Sequence, residues 1–215
     1  MLFIDRVPET NRIIRLIEQN NNVIVTGKYG IGRTSLIRHV ANITQDRWRF
    51  IFVDFSQTPA RACRDMLSQL LSEKQLAYRK NKKYKSNRFL VANLNSEDSR
   101  QFVIVLDNIA KLSRPKLTLI RNLVWGKRFR FVAIVETFLP EKEFLLLRME
   151  LIPAEVITIQ YLNTRSTEKL LQQFSEKYHF NWDDQQIKRF ASITQGYPLG
   201  IREFIIRQVE GRCRQ

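Results

Sequence analysis

The stretch Gly27-Lys28-Tyr29-Gly30-Ile31-Gly32-Arg33-Thr34-Ser35 constrains this chain more than any other. The apolar run Val23-Ile24-Val25 precedes it, and Leu36, Ile37, Val40 and Ala41 follow at helical spacing. A strand, a glycine-rich loop and a helix in that order make a phosphate-binding loop. The glycines let backbone N–H groups turn inward, and the helix N-terminus adds partial positive charge. Gly27, Gly32 and Thr34 occupy fixed positions of the G-x-x-x-x-G-K-[ST] pattern, and Gly30 adds a third glycine. Arg33 stands where the pattern has lysine. The expected phosphate cradle is therefore Gly27, Gly30, Gly32, Arg33, Thr34 and Ser35, with the Thr34 hydroxyl directed at a magnesium ion.

Downstream, apolar runs alternate with helical periodicities, which predicts an α/β fold around a parallel sheet. Strands are expected at Phe50–Phe55, Phe102–Leu106, Phe131–Val135 and Val156–Ile159. Phe102-Val103-Ile104-Val105-Leu106 is apolar on both faces, as a central parallel strand must be, and it ends in Asp107-Asn108. The Phe131 strand ends in Glu136-Thr137. In open parallel sheets ligands gather at the carboxyl ends of the strands. Asp107 and Thr137 are therefore expected in the catalytic set, which the resemblance given below extends to Asn108. Asp107 is expected to join Thr34 in holding magnesium, through a water molecule, and Thr137 to face the terminal phosphate or the attacking water.

Beyond Tyr161 the pattern becomes helical. Leu170, Leu171, Phe174 and Tyr178 form one stripe, Asp183 with Gln186 fits a capping box, and Pro198 opens the last helix. The expected division is an α/β core over 1–160 and a helical lid over 161–215. The formal charge of +15 favours a polyanionic partner, nucleic acid before membrane. Seven Lys or Arg residues without an acidic residue fall between Lys74 and Ser96. Arg79, Lys80, Lys82, Lys83, Lys85 and Arg88, with Tyr78 and Tyr84 among them, form the candidate nucleic-acid segment. Cys63 falls on an apolar helix face and reads as core. No apolar run approaches the roughly 18 residues of a membrane span, and no signal-peptide h-region is present, so an intracellular, cytoplasmic setting is expected.

With these residues placed, the chain resembles AAA+-type ATPase modules of the branch shared by origin-recognition ATPases, transposition ATPases and STAND signalling NTPases. The likeness rests on Phe3-Ile4-Asp5-Arg6 with Glu9, similar to a box before the first helix; on the glycine loop; on Val103-Ile104-Val105-Leu106-Asp107; and on Gly196-Tyr197-Pro198-Leu199, which looks like a lid motif. The resemblance implies a three-layer P-loop core with a helical lid, ATP or ADP with Mg²⁺ as cofactors, and assembly into homo- or hetero-oligomers. It adds Arg6, Pro198 and Arg202 to the cofactor-binding set; Arg202 lies one turn beyond Leu199, where origin-type relatives carry a sensor arginine. Three departures bear on chemistry. Arg33 replaces lysine, Asn108 follows Asp107 where active relatives carry glutamate, and Leu199 replaces the sensor arginine. An asparagine cannot take a proton, so hydrolysis is expected to be slowed by roughly 10²–10⁴. The expected function is a nucleotide-gated, DNA-associated switch or adaptor. A STAND-type signalling or defence module, and a pseudo-ATPase structural subunit, stand as alternatives.

Overall fold

The computed structural model describes residues 6–71, 84–92 and 99–212. In chain order these form α1 (Val7–Glu18), β1 (Asn22–Thr26), α2 (Arg33–Ile43), β2 (Trp48–Asp54), α3 (Pro59–Leu70), α4 (Tyr84–Ala92), β3 (Gln101–Ile109), α5 (Arg114–Trp125), β4 (Phe129–Val135), α6 (Glu141–Glu150), β5 (Ala154–Thr158), α7 (Thr164–Lys177), α8 (Asp184–Thr194) and α9 (Pro198–Arg212). The five strands pair in the order β2-β3-β4-β1-β5, and every pairing is parallel. This is an α/β sheet with helices on both faces and a helical C-terminal region.

The sheet is buried on both sides because its strands alternate between two apolar sets. On β3, Phe102, Ile104 and Leu106 pack with Cys63, Met66, Leu119 and Leu123 from α3 and α5. Val103 and Val105 turn the other way, onto Ile13, Ile17, Leu36 and Ile37 from α1 and α2. Each fully buried aliphatic side chain contributes about 1.5–3 kcal/mol, so a strand apolar on both faces is stable only at the centre of such a sandwich. Burial also pushes the Cys63 thiol up to about 12, which leaves it inert as a nucleophile.

Polar residues fix the element ends. Asn22, buried at the start of β1, donates to the Leu151 carbonyl at 2.6 Å and accepts from the Phe131 amide at 2.9 Å. It thereby ties β1 to β4 and to the turn before β5. The Thr58 side chain caps α3, with Pro59 in its first turn. The capping box at Asp183 and Gln186 forms as its spacing predicts. The C-terminal helices bury their own small core of Leu170, Leu171, Phe180, Ile187, Ala191, Ile201 and Ile205. Stacked Phe180 and Trp182 rings, 4.6 Å apart, extend it.

Among the candidate nucleic-acid residues, Arg79, Lys80, Lys82 and Lys83 lie outside the described residues, as does the side chain of Lys85. Arg88 is half-buried on α4, close enough to Cys63 for its charge to act on the thiol. Among the described residues no helix is long and apolar enough to cross a membrane.

Candidate nucleotide site

Strand order brings the site together. The glycine loop leaves β1, Asp107 lies near the end of β3, and Glu136 follows β4; β4 sits between β3 and β1. All three therefore lie at the carboxyl end of the parallel sheet.

The loop takes the backbone its glycines permit. Gly30 and Gly32 have φ of +72° and +94°, values that side chains of L-residues rarely adopt. Gly32 is the N-cap of α2. A Cβ built on Gly32 meets nothing within 4 Å, so the cradle beside the helix N-terminus is open space. Below it, the Thr34 hydroxyl lies 3.1 Å from both carboxylate oxygens of Asp107 and donates to them. Burial raises the Asp107 carboxyl above its ordinary value, while hydrogen bonds from the Asn108 amide and Thr34, and the charges of Arg38 and Arg33, oppose the rise. An open anion cradle beside a hydroxyl–carboxylate pair fits a magnesium-bound polyphosphate. Thr34 and Asp107 would hold the ion, which supplies positive charge against the phosphate oxygens.

The other predicted residues divide. Arg6 is buried and donates to the Ile31 carbonyl at 3.1 Å, the Gln160 carbonyl at 2.9 Å and Glu9 at 3.1 Å. It therefore joins α1 to the loop and to the segment after β5; Phe3, Ile4 and Asp5, the rest of its box, lie outside the described residues. Burial lowers its pKa against the opposing pull of Glu9. Arg6, Gly32, Ser35, Pro198 and Arg202 line a cleft of about 470 Å³, with Ile31, Leu170, Phe174 and Ile205 as its apolar wall. A lining that mixes cationic and apolar side chains suits a phosphate-bearing ligand with a flat base.

Asn108 is directed elsewhere. It lies in a register shift of β3 against β4, has φ of +59°, and its side-chain amide donates to Asp54 at 3.3 Å. Asparagine is among the few residues that take this backbone readily. Thr137 is exposed in the turn after β4, and the residue the structure brings to the loop is its neighbour Glu136. Glu136 is 9% exposed and accepts from Arg33 Nη2 at 2.6 Å; the Arg33 Nη1 donates to the Val135 carbonyl. The alternation of β4 was the available signal. Val135 packs into one core layer, so a side chain directed toward the loop had to come from position 136.

The C-terminal helices clamp the loop from above. The Tyr197 hydroxyl donates to the Tyr29 carbonyl at 2.7 Å, and Lys28 Nζ donates to the Tyr161 hydroxyl at 3.0 Å. A Cβ on Gly30 would come within 2.6 Å of Leu199 Cβ. Leu199 thus packs on the loop as an apolar contact from the C-terminal helical region.

Asp54 supports a pH prediction. Burial alone would raise its carboxyl, but hydrogen bonds from Ser56, Gln57 and Asn108 outweigh this and hold it at about 2. A depressed acid stabilises the fold above its unfolded value of about 3.9, and the contribution is lost as pH falls toward the folded value. The site is largely open to solvent, so the contribution is discounted to about 1 kcal/mol. Asp54→Asn is expected to lose that amount at about pH 7, with the difference from wild type closing near pH 2. Urea melts across pH check it, and a difference unchanged by acid would assign the effect to packing.

A glycine loop after β1, a hydroxyl–carboxylate pair across to β3 and an all-parallel sheet define a P-loop NTPase. Residues 3–135 match the family model of the AAA ATPase domain. The chain belongs to that family. A search of curated proteins by sequence returns no match. Among solved structures it is similar to the ORC1 protein of Aeropyrum pernix in complex with DNA (TM-score 0.61, 14% identity, covering 82% of this chain and 50% of that one). It is similar also to S. cerevisiae Hsp104 with ADP (TM-score 0.63, 15% identity, 98% of this chain and 31% of that one). A third likeness is to the RuvB Holliday junction branch migration motor of Thermotoga maritima (TM-score 0.56, 14% identity, 93% and 60%). The chain thus spans between 31% and 60% of the length of these structures.

Proposed function

We propose that this chain binds ATP or ADP with Mg²⁺ and acts as a nucleotide-gated switch or adaptor on DNA, in an oligomer, with slow hydrolysis. The observation that carries the reading is the Thr34–Asp107 contact beneath the open cradle at Gly32. Thr34 and Asp107 position the ion, the loop amides hold phosphate oxygens, and Arg6 keeps α1 and the segment after β5 in register with the loop. The C-terminal helices touch the loop through Tyr197 and Leu199, so a ligand in the cleft bears on the lid as well as the core. Coupling of that kind lets nucleotide control assembly.

Slow turnover follows from the position of Asn108, which is tied to Asp54 and carries no group able to take a proton from water. A glutamate there would have to adopt φ of +59°, so Arg33→Lys with Asn108→Glu restores the pattern only against backbone strain. DNA as partner is supported by the +15 charge and by the DNA-bound ORC1 and RuvB motor among the similar folds.

The test measures nucleotide binding, particle mass and duplex binding together, with and without MgATP. We expect ATP to bind, to enlarge the particle and to tighten DNA binding. Affinity for DNA should fall at least tenfold between about 50 and 200 mM salt, as counterion release requires. Turnover should stay below roughly 1 s⁻¹, the low end of ordinary enzymes. Binding of ATP without DNA would favour the signalling alternative; no nucleotide binding at millimolar levels would leave the pseudo-ATPase.

A further inference from the structure

The cation that a P-loop directs at the β- and γ-phosphates is already neutralised here by a carboxylate of the same chain. Arg33 is 6% exposed, and both of its terminal nitrogens are committed to the end of β4, one to the Val135 carbonyl and one to Glu136. A buried pair of this kind resists opening, because separating the partners leaves an uncompensated charge in a poorly solvated place. A terminal phosphate arriving at Arg33 meets Glu136 as a competing anion on the same guanidinium. It must share the donors at the cost of like-charge repulsion or displace the carboxylate from its pair. A diphosphate lacks the terminal phosphoryl group, so it would bring less negative charge against Glu136, and its β-phosphate would have the loop amides as alternative donors.

We propose that Glu136 is a specificity-determining residue of this site. By holding Arg33 it makes the cleft favour nucleoside diphosphates over triphosphates, so that the triphosphate state is reached only at high triphosphate concentration. The proposal rests on the nucleotide reading above. It also accounts for the replacement of lysine: the planar, forked guanidinium serves the carboxylate and the Val135 carbonyl with separate nitrogens, which a point-like ammonium does less well. Arg33 and Glu136 thus form one unit, and the pattern departure at residue 33 is matched by the carboxylate at residue 136.

The test uses calorimetry on the full chain with MgADP and with a magnesium-bound ATP analogue whose β–γ bridge is an imide. Wild type should bind the diphosphate about tenfold more tightly, a difference of about 1.4 kcal/mol. Glu136→Gln keeps the size and an acceptor oxygen but removes the charge. It should raise triphosphate affinity about tenfold while changing diphosphate affinity less than about threefold. A wild type that binds the triphosphate analogue as tightly as ADP overturns the proposal without any variant. Equal gains for both nucleotides in Glu136→Gln, or none for the triphosphate, overturn it too. Failure of wild type and variant to bind either nucleotide overturns the nucleotide reading on which it stands. A purely structural role for the pair would lower the melting temperature but leave the ratio of the two affinities unmoved.

Discussion

Gly32→Asp is expected to abolish nucleotide binding in a chain that still folds. Gly32 is the N-cap of α2, where the helix N-terminus and the loop amides converge on an anion. The cost to the fold is limited, because a Cβ there meets no atom within 4 Å and only the φ of +94° resists it. That strain is about 1–2 kcal/mol. The cost to the ligand is far larger. The new carboxylate fills the space a phosphate would take and sets a negative charge against it, a juxtaposition worth several kcal/mol. Affinity for ADP should fall by at least about 100-fold, below what calorimetry reads at millimolar ligand. Gly32→Ala separates the two terms: it carries the strain without the charge and should lose only about tenfold. A thermal melt of each variant shows that the chain is folded. Unaltered ADP binding by the aspartate variant would move the site away from the loop.

The sheet and the loop were legible in the sequence because their signals are local. An apolar strand, glycines at fixed spacing and a helical stripe occupy adjacent residues, and each restricts the others. Strand limits moved only at their ends: β2 begins at Trp48 and not Phe50, and β5 runs over Ala154–Thr158. The pairing of Thr34 with Asp107 was also within reach, because the P-loop motif fixes one partner and the parallel sheet places the other.

The partner of Arg33 was legible only in part. The phase of β4 offers residue 136 to the loop, but no local pattern says that its carboxylate closes on Arg33, which depends on how the chain leaves the sheet beside α2. The Asn108 side chain escaped for a similar reason. A register shift between Leu106 and Ile109 rotates it toward Asp54, and no pattern of residue types announces such a shift. The contact between the C-terminal helices and the loop was half legible. Gly196-Tyr197-Pro198-Leu199 marked a turn into a helix, but the Tyr197 hydroxyl reaching the Tyr29 carbonyl joins residues 168 positions apart. Contacts at that separation are fixed by the assembled fold.

Gly196→Ala is expected to cost more stability than any other glycine substitution in the described chain. Two adjacent residues, Gln195 and Gly196, have positive φ, 48° and 70°. Gln195 shows that a side chain is tolerated in the left-handed region here, at a cost of about 1–2 kcal/mol. Gly196 differs in its surroundings. Its carbonyl accepts from the Leu162 amide at 2.9 Å, so two backbone segments lie against each other. A Cβ would overlap the Leu162 carbonyl oxygen and come within 2.9 Å of its carbon. Backbone, unlike the end of a side chain, cannot swing aside, so the two segments must part. Strain and overlap together give a loss of about 3 kcal/mol, or about 6–12 °C in melting temperature for a chain of this size. Gln195→Gly, one residue earlier, should leave stability unchanged or raise it by up to about 1 kcal/mol, because it relieves φ strain and meets no clash. The parting also reaches the site. Tyr197, Pro198 and Leu199 follow directly, and moving them withdraws the hydroxyl from Tyr29 and the side chain from Gly30. Nucleotide affinity in Gly196→Ala should therefore fall about tenfold even where the protein remains folded. Melting curves and calorimetry on the same samples decide it. A variant that melts like wild type would show that the two segments separate freely, and the C-terminal helices would then not be held to the loop by this contact.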